Sequence, residues 1–217
     1  MRKLFTLSFS FLILTACAAT NEEKNSEQKL IVAPATEITS KADTAYFAGG
    51  CFWCVEASFD QIEGVIEAVS GYSGGKEKNT SYKAVSYGKT GHAEAVMVIY
   101  NPEVISFSVL LDILFTAHDP TQLNRQGPDV GKQYRSAVFY VSDEQKNETD
   151  AKIKAISTNY ANPIVTEVKV FSFFEIAEEY HQDFERKNPN QPYVVNVSKP
   201  KIEKVAEKFK TRLKKSE

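Results

Sequence analysis

Two periods of apolar and polar residues run along the chain. A short β-prone run at residues 44–48 ends in Gly49-Gly50, where the backbone can bend sharply. Val55, Phe59 and Ile62 then recur at helical spacing, with Glu56, Asp60 and Glu63 expected to turn away, so a helix opens near Cys51. Residues 65–72 are strand-like and run into Ser73-Gly74-Gly75, and residues 81–87 suit a short helix. Ala95-Val96-Met97-Val98-Ile99 is apolar on both faces, the pattern of a central strand over residues 92–100. Phe107, Leu110, Leu111, Leu114, Phe115 and His118 mark a helix that Asp119-Pro120 ends. A polar loop follows at 121–132, then a strand at 134–141, a helix at 143–160, a strand at 164–171 and a helix at 173–187. The alternation predicts an α/β (α+β) fold, a mixed β-sheet with flanking helices.

The two ends of the chain read differently. Arg2 and Lys3 precede an apolar run at residues 4–14, too short for a membrane span and suited to a signal peptide. Leu14-Thr15-Ala16-Cys17 resembles the bacterial lipoprotein cleavage box, which implies lipidation of Cys17; the alternative is an ordinary secretory signal cut near Ala16 or Ala19. On the lipoprotein reading the signal is 1–16, a polar tether is 17–42, the catalytic domain is 43–198 and a basic helix or tail is 199–217. The protein is then exported and anchored to a bacterial membrane through lipid, on the periplasmic face if two membranes are present. Lys201, Lys204, Lys208, Lys210, Lys214 and Lys215, with Ile202, Val205 and Phe209 among them, make the tail an amphipathic helix for the domain, for a membrane surface or for solvent.

Composition excludes little beyond nucleic acid. The 217 residues carry a formal charge of −2, with 42% hydrophobic and 25% charged residues, so one domain with a sizeable core is expected and no polyanion partner. The three cysteines narrow the chemistry. If Cys17 carries lipid, the thiols are Cys51 and Cys54. A disulfide between neighbouring helical turns constrains almost no chain, so stability is a poor reason for the pair.

Cys51 stands at the mouth of the first predicted helix, where unpaired N–H groups favour an anion and should make the thiol ionise more easily than a free cysteine. Phe52 and Trp53 set two large apolar rings beside it; a plain buried strand-turn-helix would also use them. Glu94 shares a strand face with Val96 and Val98. A carboxyl facing that dry interior holds its proton and can act as a general acid, unless it lies at an edge or in a salt bridge.

Gly49-Gly50-Cys51-Phe52-Trp53-Cys54-Val55-Glu56-Ala57-Ser58-Phe59 resembles the signature of the A-type peptide-methionine sulfoxide reductases. The resemblance continues through Gly71-Tyr72-Ser73-Gly74-Gly75, Gly91-His92-Ala93-Glu94, His118-Asp119-Pro120, Gln133-Tyr134-Arg135-Ser136 and Glu179-Tyr180-His181-Gln182-Asp183, in order, over roughly residues 43–192. It implies a two-layer ferredoxin-like sandwich and reduction of methionine-S-sulfoxide in proteins and peptides, with free methionine sulfoxide a further substrate. It implies Cys51 as nucleophile, Glu94 as acid, and Tyr82 and Tyr134 at the sulfoxide oxygen, with Asp129 near that oxygen and its waters. Phe52 and Trp53 would hold the S-methyl group. His92, His118 and Arg135 read as structural, and His181 more as structural than as a base.

Thiolate attack would release methionine and leave a sulfenic acid on Cys51. Relatives often keep resolving cysteines near the C-terminus. This chain has none after Cys54, so within it Cys54 is the candidate for the disulfide, which a thioredoxin-like thiol donor would reopen. No metal and no cofactor beyond that donor is expected. The implied role is repair of oxidised exported proteins by a monomer. Two other readings use the same cysteines. A general thiol–disulfide oxidoreductase would leave Glu94 and the tyrosines idle, and a zinc module would need His92, His118 and His181 at ligand spacing that they lack.

Overall fold

The computed structural model describes residues 42–215. The lipoprotein signal, Cys17 and the tether before residue 42 lie outside the described residues. No described helix is long and apolar enough to cross a membrane.

The elements in chain order are β1 (Asp43–Gly49), α1 (Phe52–Asp60), β2 (Val65–Ser73), α2 (Tyr82–Ser86), β3 (Ala93–Tyr100), α3 (Phe107–Ala117), β4 (Arg125–Gln126), β5 (Asp129–Val130), β6 (Ser136–Tyr140), α4 (Asp143–Ile156), β7 (Glu167–Val170), β8 (Phe174–Ile176), α5 (Phe184–Lys187) and α6 (Lys199–Lys208). One sheet has the order β7-β6-β1-β3-β2-β8, and β4 pairs with β5 apart from it. All neighbours in the large sheet are antiparallel except β6 and β7. Its centre, β6-β1-β3-β2 with α1 and α3 as the crossing helices, is the βαββαβ arrangement of a ferredoxin-like sandwich.

Strand alternation divides the residues between two faces. Phe47 from β1, Val96 and Val98 from β3 and Val138 from β6 pack with Phe59 of α1 and Leu110, Leu111 and Leu114 of α3. Each such side chain contributes about 1.5–3 kcal/mol on leaving water. The other face is made of Ala48, Ala93, Ala95 and Ala137 with Phe139. Tyr46 and Phe171 stack over it with centroids 3.9 Å apart. Small side chains there let aromatic residues of the edge segments lie close to the sheet.

Residues 173–187 do not form the helix that their aromatic spacing predicts. Phe174–Ile176 instead pairs with β2, with Gly71 opposite Ile176 and Ser73 opposite Phe174. Further along, the Gln182 amide accepts from the Ser70 N–H at 2.9 Å and donates to the Ser70 carbonyl at 3.0 Å, standing in for a strand neighbour. The open edge of β2 needs such partners, and that demand outweighs local helical preference. Asp183 takes φ 54°, which also interrupts any helix there.

Glu56 differs from expectation as well. It is buried, not turned to solvent. It accepts from the Asp183 N–H at 2.5 Å and from the Ser70 hydroxyl, so α1 is tied to both the β2 edge and the 179–187 segment. Burial pushes its carboxyl up to about 7. The tail rests on the domain. Val205 of α6 is fully buried, Lys208 donates to Thr116 at 3.0 Å, and Leu213 bridges Ile62 in the turn after α1.

Candidate active site

Cys51 is placed by the sharp exit from β1. Gly50 has φ +100°, and a Cβ there would lie 2.7 Å from the Gln126 side chain, so both conformation and space require glycine. Gln126 is itself held by Asp119, whose N–H donates to its amide oxygen at 3.2 Å and whose carbonyl accepts from its amide nitrogen at 3.0 Å. The chain then turns into α1 with Cys51 as N-cap and Cys54 one turn on. Both cysteines are buried free thiols.

Glu94 opens β3 on the helix-facing side and is 2% exposed. Its Oε2 accepts from the Phe52 N–H at 3.1 Å, which fixes a carboxyl against the peptide next to Cys51. Burial pushes its pKa up to about 8, and the Phe52 hydrogen bond only partly opposes that. At neutral pH the group is mostly a carboxylic acid.

Phenols gather around the same charges. Tyr82, whose N–H is held by Glu178 at 2.9 Å, sits near Glu94 and Cys51, and burial pushes its pKa up to about 12. Tyr134, at the end of a 3-10 turn before β6, is raised by burial and then by Glu94, Tyr82 and Cys51. Both remain hydroxyl donors across the physiological range. Tyr193 joins them, a residue with no signal in the sequence beyond an aromatic ring following Pro192. Its hydroxyl donates to Asp129 Oδ2 at 2.6 Å and lies in hydrogen-bonding reach of Cys51. Asp129 therefore reaches the site through Tyr193.

The two rings beside Cys51 pack against other aromatic side chains. Phe52 is buried between Tyr72, Tyr82 and His181, with the His181 ring 5.0 Å away. Trp53 stacks on Phe184 with centroids 3.7 Å apart and meets Tyr193 edge-on. The Trp53 N–H donates to His181 Nδ1 at 3.1 Å, so His181 orients the indole. The remaining histidines hold backbone. His92 accepts from the Gly75 N–H at 3.3 Å. His118 bonds the Leu114 carbonyl and Ser136 at 2.7 Å each, and burial lowers its pKa to about 4. Arg135 pairs with Glu167 at 3.1 Å and donates to the carbonyls of Lys132 and Gly91, which anchors loops. Among the described residues no group of three or more His, Cys, Asp or Glu could hold a metal ion.

The ionisation expected of Cys51 is reversed in the structure. Burial raises its thiol pKa well above the ordinary value, and contact with Cys54 and the nearby Glu94 add to that. Desolvation outweighs the helix N-terminus. Cys54 is lowered instead, first by the hydrogen bond from Cys51 and further by Lys201 and Ser198. Cys51 thus keeps its proton.

A buried C-x-x-C dithiol beside a protonated carboxyl and three phenols defines a thiol-dependent oxidoreductase. Residues 43–213 match the family described as peptide methionine sulfoxide reductase, and the chain belongs to that family. It is 48% identical to "Peptide methionine sulfoxide reductase MsrA" of Haloquadratum walsbyi over 172 residues, covering 79% of this chain and 99% of that protein. The protein of the same name from Pasteurella multocida is 51% identical over 165 residues, covering 76% and 95%. Among solved structures, Mxr1 from Saccharomyces cerevisiae in reduced form aligns with TM-score 0.67 and 37% identity, over 73% of this chain and 90% of that one. Methionine sulfoxide reductase A of Corynebacterium diphtheriae aligns with TM-score 0.67 and 32% identity, over 70% and 78%.

Proposed function

We propose that the enzyme reduces methionine-S-sulfoxide in peptides and proteins by attack of Cys51 on the sulfoxide sulfur. The observation that carries this is the buried, protonated Glu94 held 3.1 Å from the Phe52 N–H, beside the nucleophile. Phe52 and Trp53 receive the S-methyl group, and the hydroxyls of Tyr82, Tyr134 and Tyr193 face the oxygen. Glu94 gives a proton to that oxygen as the Cys51–sulfur bond forms, and recovers the proton that Cys51 loses. The sulfur–oxygen bond and the Cys51–sulfur bond then break, the hydroxyl passes to the Cys51 sulfur, methionine leaves as the thioether, and Cys51 is left as a sulfenic acid. Cys54 then attacks the Cys51 sulfur, a disulfide forms and water departs. A dithiol of thioredoxin type reduces that disulfide by exchange and becomes a disulfide itself.

The signal at 1–16 and Cys17 support export and lipid anchoring of this repair activity, at the periplasmic face where two membranes exist. Replacement of Cys17 by Ala should then move the protein from the membrane to the soluble fraction.

The chemical test is stoichiometric. Without reductant, wild type should form about one methionine per enzyme and end with a Cys51–Cys54 disulfide. Cys51→Ser should form none, and Cys54→Ser should form about one but not cycle with thioredoxin. Turnover by Cys51→Ser would refute the nucleophile.

A further inference from the structure

The C-terminal segment contacts Cys54. Its Sγ lies 3.0 Å from Ser198 Oγ and 4.0 Å from Lys201 Nζ. Ser198 ends a π-helical turn (Val194–Ser198) and Lys201 is in the first turn of α6, so the two sit three residues apart on one helical face. Ser198 is fully buried, and the Glu185 carboxyl of α5 lies near it. Oε1 of Glu185 is buried with no hydrogen-bond partner. None of these groups is needed to reduce a sulfoxide at Cys51, and a cation gains little from facing a neutral thiol.

We infer that the C-terminal segment supplies the resolving half of the reaction: Ser198 and Lys201 hold Cys54 as the thiolate that attacks the Cys51 sulfenic acid. This rests on the proposed role of Cys54. In the resting enzyme the largest support for a Cys54 thiolate is the hydrogen bond from the Cys51 thiol. That S–H is gone once the Cys51 sulfur carries oxygen. Ser198 and Lys201 remain, so they act when the second thiol must ionise. The groups facing Cys54 are Cys51 on its own helix, Glu94 of β3, Glu185 of α5, Tyr193, and Ser198 and Lys201 of the tail. Lys201 is the cation among them, and Glu185 opposes the thiolate. The step balances: Cys54 attacks as the thiolate, the new bond joins the two sulfurs, the Cys51 sulfur–oxygen bond breaks, and the hydroxyl departs as water with a proton from Glu94. The basic tail is thereby part of the enzyme's redox cycle.

The test uses the whole chain with Lys201→Met, Lys201→Arg and Ser198→Ala. Iodoacetamide alkylation of Cys54, mapped by mass spectrometry against pH without substrate, should shift its midpoint up by about one unit in Lys201→Met and less in Ser198→Ala. After one equivalent of an oxidised methionine peptide, disulfide formation should slow about tenfold relative to methionine release, and dimedone should trap the Cys51 sulfenic acid. Lys201→Arg should restore both readouts. A tail that only packs would lower the melting temperature without separating methionine release from disulfide formation. Unchanged alkylation midpoints and disulfide rates in both variants would overturn the inference. Wild type that releases methionine but forms no disulfide would remove the Cys54 role and this inference with it, leaving Cys51 chemistry intact. Wild type that releases no methionine would defeat the functional reading, while the alkylation midpoint still decides whether Lys201 ionises Cys54.

Discussion

Glu94→Gln separates proton donation from every other contribution of this site. Glutamine has the size of glutamate and can still accept from the Phe52 N–H, but it has no proton to transfer. With a carboxyl pKa of about 8, roughly 90% of the wild-type enzyme is in the acid form at pH 7 and roughly 10% at pH 9. The Cys51 thiol is raised further, so its thiolate grows about tenfold per pH unit over that range. The single-turnover rate of methionine formation should therefore climb to about pH 8 and then flatten, as gain in thiolate cancels loss of acid. In Glu94→Gln the rate should fall by about 10²–10⁴ and the plateau should vanish, leaving a continuous rise. Rapid quench with an oxidised peptide from pH 6 to 10 measures both. Stability supplies an independent readout with a defined sign. A carboxyl raised in the folded state holds a proton that the unfolded chain has lost, so its contribution is full below about pH 4.5 and declines as pH rises through 8. Between pH 4.5 and 7 that decline is ~3 kcal/mol, at about 1.4 kcal/mol per unit. The glutamine variant should then gain on wild type in urea midpoint as pH rises. A wild-type rate that climbs straight through pH 8, or a variant with an unchanged rate, would refute the acid role.

Three further outcomes follow from particular contacts. Tyr193→Phe removes the hydroxyl shared by Asp129 and Cys51 and should slow methionine release roughly tenfold, about one hydrogen bond's worth; equal single-turnover rates would place Tyr193 outside the chemistry. Gly50→Ala forces a side chain into φ +100° and against Gln126, and should cost about 1–3 kcal/mol in urea unfolding; a neutral result would contradict the requirement for glycine there. Glu56→Gln removes a carboxyl raised to about 7, so it should flatten the fall of stability as pH rises from 4.5 through 7; an unaltered pH dependence of melting temperature would show that Glu56 does not carry it.

The chain's local chemistry determined a good deal. Strand and helix periods placed β1, α1, β2, β3, α3 and α4 within a few residues, because β3 is apolar on both faces and the others carry one apolar face each. The Gly49-Gly50-Cys51 turn located the thiol at a helix start, and alternation in β3 turned Glu94 inward with Val96 and Val98. Tertiary structure decided the rest, since each remaining feature depends on a partner far along the chain. Residues 174–176 became a strand only because β2 offered an unpaired edge about a hundred residues earlier. Glu56 went inside because the Asp183 N–H and Ser70 hydroxyl were there to receive it. Tyr193 joined Cys51 and Asp129 across more than sixty residues. Cys51 kept its proton because close packing excluded water, a free-energy term that grows with burial and that no local motif expresses. The same packing set Ser198 and Lys201 against Cys54, because α6 must bury Val205 on α1 and α3, and that docking carries its first turn to the second sulfur.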